Sequence, residues 1–360
     1  MNSEFTHEMK VSFSLNEKEI REVIDFKKKL KYPSHFNNPY WAEWVEPYKK
    51  PLFFRFYNNT ALSGFGIGYT RMSFCILHFG PMVLQKENIY EYVLQIALYL
   101  KKEKFGLLTV QLHPDIEIDK SLFLKNTILQ KKITFQETGW YTIKLDVTGK
   151  SPEEVLKNFS KGHKSSIKKA YKEGLETKFI NDKNVLEKLS KIYDDMHHRK
   201  GLILPLPDSK AAFKNIFDNK LGKFIGVFKG NELIGGLLFI SERNNLLYKF
   251  GATDVRYHNV PVLHVAIYEM IKHAIETNHK KVDLGGYDPV AKPHSYSYGI
   301  NLFKKGFGGE IVTYSYPFTI RLNFMKTFLI NFAIRVNKLI PEKIKKILYV
   351  LLIQGYDSIL

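Results

Sequence analysis

One succession of elements occurs twice along this chain, and that repetition limits the folds open to it. In the first copy an apolar strand leads to Gly80, an amphipathic helix follows, and a further apolar run ends at Pro114. In the second copy a strand leads to Gly251, a helix follows, and a short strand ends before Pro289. The two glycine-to-proline intervals, 34 and 38 residues, are similar. Self-similarity of this kind is read as a diverged duplication; the plainer alternative is that any two α/β units look alike at this level of detail. A chain of 360 residues has room for two such units. The expected fold class is α/β (α+β), two tandem units with mixed sheets flanked by helices. The expected divisions are residues 1–147, residues 151–311 and a C-terminal segment, 312–360.

Local patterns fill in the elements. Glu17 to Lys31 reads as a helix with Ile20, Val23, Ile24 and Leu30 on its apolar face. Tyr32 to Lys50 is rich in Pro, Asn and aromatics and reads as irregular, and Pro51 to Tyr57 reads as a strand. Gly64-Phe65-Gly66-Ile67-Gly68 is followed by an apolar strand rather than a helix, which argues against a phosphate loop and for a hairpin turn. Strands are expected over Arg71–Phe79, Leu107–Leu112 and Trp140–Val147, with a helix over Ile89–Lys102. Ser151-Pro152-Glu153-Glu154 supplies an N-cap, a first-turn proline and acids on the helix dipole. In the second half, Phe224–Phe228 and Leu233–Ser241 flank a turn at Gly230-Asn231. A strand over Asn245–Phe250, a helix over Val262–Thr277 and a short strand over Lys281–Leu284 follow.

Composition narrows the function classes. The single cysteine, Cys75, lies in an apolar run, so no intrachain disulfide and no cysteine-based zinc site is expected. Met1 to Lys10 is polar and carries acids, without the apolar stretch of a secretory signal. The net charge of +18 fits an anionic partner: nucleic acid, an acidic membrane surface or a phosphorylated ligand. A lysine-rich composition without functional meaning is the alternative. There is no G-x-S-x-G elbow, P-loop or H-E-x-x-H. Asp194 and His198, four apart on a helix, supply only two ligands, so no metal site is expected.

Two basic segments stand out. Lys164, Lys168 and Lys172 recur every four residues and form one row on a helix. Their mutual repulsion would be relieved by a phosphate-rich partner; the plainer reading is a solvated face. Further on, Phe303-Lys304-Lys305-Gly306-Phe307-Gly308-Gly309 places lysine within an aromatic and glycine-rich stretch. It reads either as a loop whose glycines admit a ligand or as a turn with a snorkelling lysine.

Taken in order, these segments resemble the FemABX family. Ser166-Ile167-Lys168-Lys169-Ala170 followed by Gly174 is similar to its N-I-R-K-A-x-x-x-G pattern. Phe79-Gly80-Pro81 resembles its first-domain G-P turn, Asp283-Leu284-Gly285-Gly286 its D-x-G-G element, and Phe303-Lys304-Lys305-Gly306-Phe307-Gly308 its F-K-x-G-F-G ending. The resemblance implies two GNAT-like domains, with a C-terminus that returns to the first. It implies an aminoacyltransferase that works without a cofactor on the cytoplasmic side of a bacterial membrane. Such an enzyme moves an amino acid from aminoacyl-tRNA to an amine of a peptidoglycan precursor or another amine acceptor. Lys304 inherits the place of the family lysine near the reaction and the tRNA 3′ end. Phe303, Arg199, Asp283, Gly285, Gly286 and Tyr287 are the implied substrate-binding residues, and Lys164, Lys168 and Lys172 the tRNA-binding row. The family lysine that follows a first-domain tryptophan has no match: Trp41-Ala42-Glu43-Trp44 leads to Val45.

The competing class is an acyl-CoA-dependent GNAT enzyme acting on an amino sugar or another cell-envelope amine. Its pyrophosphate loop would fall at Arg256-Tyr257-His258-Asn259-Val260-Pro261, where Pro261 lacks an N–H and carries a ring. A basic, non-catalytic membrane- or RNA-binding module is a third class. The tail adds seven Lys/Arg and one acid between Arg321 and Lys346, interleaved with Phe324, Phe328, Phe332, Leu339 and Ile344. The final apolar run, Ile347 to Ile353, is too short to span a bilayer. The tail therefore reads as an interfacial segment on an anionic inner membrane, as helices packed on the first domain, or as both.

Overall fold

The protein was analysed as a computed structural model, which describes residues 5–45, 50–71, 73–113, 116, 119–125, 132–136, 140–199, 208–313, 316–329 and 332. Pro114 and the tail from residue 333 onward, with Leu339, Ile344 and Ile347–Ile353, lie outside the described residues.

The strands are β1 (Glu8–Ser12), β2 (Lys50–Asn58), β3 (Ala61–Arg71), β4 (Phe74–His78), β5 (Met82–Val83), β6 (Leu107–Gln111), β7 (Ile133–Phe135), β8 (Tyr141–Asp146), β9 (Leu175–Phe179), β10 (Lys223–Lys229), β11 (Glu232–Glu242), β12 (Asn245–Thr253), β13 (Lys281–Tyr287), β14 (Glu310–Thr313) and β15 (Phe318–Arg321). The helices are α1 (Glu17–Lys29), α2 (Pro39–Val45), α3 (Ile89–Lys102), α4 (Lys120–Lys125), α5 (Pro152–Lys157), α6 (Lys161–Lys172), α7 (Lys183–Arg199), α8 (Ser209–Asp218), α9 (Val262–Glu276) and α10 (Tyr296–Lys305).

Two sheets form, and their orders correspond strand for strand. The first runs β1-β2-β3-β4-β6-β15-β7, with β5 attached to β3; the second runs β9-β10-β11-β12-β13-β8-β14. Among the described residues, the fourth and fifth strands of each sheet are its one parallel pair, β4 with β6 and β12 with β13, and every other main pairing is antiparallel. A parallel pair needs a crossover, and α3 and α9 supply it in the two halves. The duplication expected from the order of elements is therefore present in the topology.

Two strands sit in the sheet of the opposite half. β8 precedes residue 147, yet it pairs with β13 and β14 in the second sheet. β15 follows the second half and pairs with β6 and β7 in the first. Sequence order grouped β8 with residues 1–147; pairing corrects that grouping.

The elements form where local chemistry favours them. Asn16 and Ser151 cap α1 and α5 with reciprocal capping boxes through Glu19 and Glu154, and Pro152 occupies the first turn of α5. One face of the first sheet packs Phe54, Phe56, Leu108 and Val110 against α3; the other packs Phe53, Phe65 and Ile67 against Val23 and Phe26 of α1. In the second half α9 covers one face and α7 and α8 the other. Trp41 of α2, from the first half, is buried in that latter core, and Tyr40 O accepts from Asn215 Nδ2 of α8 at 3.0 Å.

The Gly64–Gly68 run is the interior of β3, not a hairpin turn; the chain reverses at Asn59-Thr60 instead. The glycines recur at the strand's period of two, so they share one face. That face lies under close-packed side chains: a Cβ on Gly64 would meet Tyr92 at 2.2 Å, and one on Gly68 would meet Cys75 Sγ at 2.6 Å. Tyr92 is held by stacking on Phe56, with ring centroids 4.0 Å apart.

Gly64→Ala is therefore expected to overpack the α3 face and to cost about 1–3 kcal/mol. Gly162→Ala, where a Cβ on α6 meets nothing within 4 Å, is expected to gain about 0.5–1 kcal/mol by raising helix propensity. Urea denaturation of the two variants checks both signs.

Candidate functional site

The chain's functional geometry begins where two strands part. β12 pairs with β13 only from Asn245 opposite Lys281 to Leu247 opposite Asp283. Beyond Asp283, β13 shifts register against β8, and Gly285 adopts a left-handed φ of 74°. A side chain is disfavoured in that conformation, which accounts for glycine here. Asp283 Oδ1 secures the bulge by accepting from Gly285 N at 2.8 Å and from Thr142 Oγ1 of β8. A cavity of about 250 Å³ opens beside this divergence. Phe36, Phe79 and Trp140 come to it from the N-terminal part of the chain; Tyr248, Lys249, Asp283 and Lys304 come from the second half.

Lys304 is delivered by α10. Ser295 caps that helix, and Asn301 anchors it to the segment after β13 by donating to Asp288 O at 2.6 Å and accepting from Asp288 N at 3.1 Å. One turn further on, Lys304 points to the bulge and donates from Nζ to Gly286 O at 2.7 Å. Its residue exposure is 8%. Burial pushes its ammonium down to about 8, and the nearby Asp283 carboxylate opposes that shift without cancelling it.

The stretch Phe303–Gly309 is not a ligand loop. Phe303, Lys304 and Lys305 form the last turn of α10, and the glycines serve packing. A Cβ on Gly306 would strike the His163 ring at 2.0 Å, and one on Gly309, at φ 89°, would meet Lys144 O at 2.7 Å. His163 Nε2 lies 2.8 Å from Phe303 O, which ties α6 to the end of α10.

The expected site residues divide. Lys304, Asp283, Gly285 and Gly286 converge on the cavity. Tyr287 follows them on β13, with Lys305 Nζ 5.1 Å above its ring. Phe303 faces elsewhere: it packs against His264 and Phe307, at 5.0 and 5.2 Å, and lines a separate groove. Arg199 ends α7, is exposed, and lies within electrostatic reach of Asp254 rather than on the cavity. Lys164, Lys168 and Lys172 are exposed on α6, with Lys164 Nζ 3.1 Å from Lys157 O. Several groups at the cavity escaped the sequence reading, among them His35, Glu242 and Lys249. Only Lys249 left a local signal, a lone lysine within an otherwise apolar strand segment. Among the described residues, no group of three or more His, Cys, Asp or Glu is placed to hold a metal.

The separate groove, about 310 Å³, lies at the start of α9 and includes Lys169, Asn259, Pro261 and His264. Arg256, at the head of the segment where a pyrophosphate loop would fall, is engaged: its Nη2 lies 2.7 Å from both Asp254 Oδ2 and Glu232 Oε1. Pro261 occupies the cap position of α9, where it offers no N–H.

Residues 157–296 match the family model described as "Acetyltransferase (GNAT) domain". The second half is thus a GNAT acyltransferase domain. The crystal structure of FemX is similar over 87% of this chain and 98% of its own, with a TM-score of 0.66 and 16% identity. The C-terminal DUF2156 domain of a protein assigned as a lysylphosphatidylglycerol synthetase from Agrobacterium fabrum is similar over 89% and 97%, with a TM-score of 0.62 and 11% identity. A tandem GNAT protein from the clavulanic acid biosynthesis pathway is similar over 88% and 99%, with a TM-score of 0.50 and 10% identity. No curated protein matches the sequence significantly. The chain has the duplicated GNAT fold that FemX also has.

The low position of Lys304 sets a pH dependence. Between about 8 and the ordinary 10.5, the unfolded chain keeps a proton that the folded chain has released. This site's contribution to stability therefore rises as pH rises through that window. Below it both states are charged, and burial of the ammonium costs the fold roughly 3 kcal/mol. Lys304→Met is expected to gain stability relative to the unsubstituted protein at pH 7, less the lost bond to Gly286, with the advantage shrinking toward pH 10.5. Thermal melts of both proteins across this range check it; a constant difference contradicts the assignment.

Proposed function

We propose that this protein is an aminoacyltransferase that moves an amino acid from aminoacyl-tRNA to a primary amine, with a peptidoglycan precursor peptide as the acceptor class. The observation that carries the reading is the buried Lys304 ammonium at the β13 bulge. Aminolysis of an ester forms an N–C bond and breaks a C–O bond through an intermediate with negative charge on the former carbonyl oxygen. A cation in a site of low dielectric stabilises that charge more than it would in water. A group lowered to about 8 is also suited to give a proton to the departing 3′-oxygen at neutral pH. Asp283, Gly285 and Gly286 hold this ammonium's surroundings in place; Tyr287 follows Gly286 on β13, and Phe303 precedes Lys304 on α10.

The donor follows from charge and from the state of the α9 entrance. Lys164, Lys168 and Lys172 are exposed along α6, whose first turn is linked through His163 to the end of α10. This row supports contact with tRNA phosphates. Arg256 is already paired and Pro261 has no N–H to offer, which disfavours a pyrophosphate there. The acyl-CoA alternative keeps one observation in its favour: the groove at the start of α9 within the GNAT domain. Beyond residue 321, Phe324, Met325, Phe328, Leu329 and Phe332 are all exposed. With the basic residues of the tail, they support peripheral contact with the anionic inner face of a plasma membrane. No described helix is long and apolar enough to cross a membrane.

Transfer from charged tRNA and from acetyl-CoA to a panel of amines tests the reading; transfer from acetyl-CoA alone would replace it with the alternative. In the productive assay Lys304→Met is expected to lower kcat about 10²–10³-fold. Lys305→Met should stay close to wild type. Replacing Lys164, Lys168 and Lys172 together by Gln should weaken tRNA binding and flatten its salt dependence. An unchanged salt slope would leave the row as a solvated helix face.

A further inference from the structure

The last turn of α10 is closed from outside the helix. Gly306 N donates to Leu302 O at 3.1 Å, Phe307 N to Lys304 O at 3.2 Å and Gly308 N to Lys305 O at 2.9 Å. The carbonyls of Phe303 and Gly306 are met by α6 and its cap instead: Phe303 O lies 2.8 Å from His163 Nε2, and Gly306 O accepts from Ser160 N at 2.8 Å. Carbonyls at the end of a helix have no partner within it, so bonds of this kind decide whether the final turn stays closed.

The contact also fixes the imidazole. A carbonyl oxygen can only accept, so Nε2 carries the proton. Nδ1, 3.1 Å from Ser160 Oγ, is left to accept from that hydroxyl. Burial lowers His163 below an ordinary histidine, against the pull of the Phe303 carbonyl, so the ring is neutral at pH 7. The ring lies against Gly306, where a Cβ would meet it at 2.0 Å, and its centroid is 4.5 Å from that of Phe307 and 4.6 Å from that of His264. His264 is neutral as well, pushed down to about 4 by burial.

Lys304 depends on this turn. Its Nζ reaches Gly286 O at 2.7 Å from the residue next to Phe303. Fraying of the final turn would let an ammonium that is costly to bury return to water. We infer that His163 is a positioning residue for Lys304: its Nε2–H holds the Phe303 carbonyl, keeps the end of α10 closed and so seats Lys304 on the β13 bulge. The inference rests on the role proposed for Lys304 in transfer. The helix that begins with this contact also bears Lys164, Lys168 and Lys172, so one element carries the basic row and sets the place of the buried cation.

Two variants of equal length separate the N–H from the ring. His163→Gln keeps a donor at the reach of Nε2 and His163→Met has none, while both lose the ring. The ionisation of Lys304 is read without any substrate, from its rate of acetylation by acetic anhydride as a function of pH, resolved by mass spectrometry with the exposed Lys305 as internal reference. The midpoint is expected near 8 in the unsubstituted protein and in His163→Gln, and displaced toward the ordinary 10.5 in His163→Met. Asp283, Lys144, Glu242 and Lys249 share the cavity with Lys304 and are the same in all three proteins, so a moved midpoint reports the helix end. In the transfer assay His163→Met should lower kcat about 10²-fold with KM for the donor little changed, and His163→Gln should restore most of that loss. A Lys304 midpoint common to all three proteins, or Gln and Met variants that behave alike, including a shared failure to fold, overturns the inference. A midpoint displaced only in His163→Met, with no transfer from charged tRNA by any of the three, would overturn the proposed function and leave this link standing.

Discussion

The reciprocal exchange of β8 and β15 is the constraint on which the rest of this structure depends. Each is an internal strand of the opposite sheet, hydrogen-bonded along both edges. Separating the halves would therefore break four strand pairings, each leaving two rows of unpaired backbone donors and acceptors. Trp41 adds an apolar component, since it is buried in the core of the second half while belonging to α2 of the first. The two GNAT-like units are thus one cooperative body, and the seam between them has a fixed shape.

That fixed seam is what makes a buried lysine tolerable. The exchanged strand β8 brings Thr142 to Asp283, and Asp283 fixes the Gly285 bulge that turns Gly286 O toward Lys304. A lysine ammonium is costly to remove from water unless its hydrogen bonds are replaced. Here a carbonyl and a nearby carboxylate replace part of the hydration, and the remaining cost appears as the lowered proton affinity of Lys304. The same strand carries Tyr141 and Lys144 to the cavity. The surroundings of Lys304 are set by the fold around it rather than by its own local sequence.

Much of this was legible in advance for physical reasons. The helix over Ile89–Lys102 and the hairpin around Gly230-Asn231 follow from amphipathic period and turn chemistry, which act over a few residues. Asp283, Gly285 and Gly286 lie in one short motif and Lys304 in another, and the fold brings both to the same cavity. Phe303 precedes Lys304 in that second motif yet faces the other way, because successive residues on a helix point about a quarter-turn or more apart. The glycines of β3 were misread as a turn because glycine has two uses, conformational freedom and absence of a side chain, and only the position of Tyr92 shows which applies.

By itself, the sequence determined most of the element types, the duplicated order, the excess of positive charge and the short segment that carries Lys304. These rest on periodicity, composition and contacts between near neighbours, all of which a linear chain displays. Only the tertiary structure decided that β8 joins the second sheet, that the Phe303–Lys305 segment ends a helix, and that His35 meets Glu242 and Lys249. His35 is 207 residues from Glu242 and 214 from Lys249. No pattern in a chain fixes a hydrogen bond over such separations; it forms because two packed halves hold their backbones at one distance and orientation.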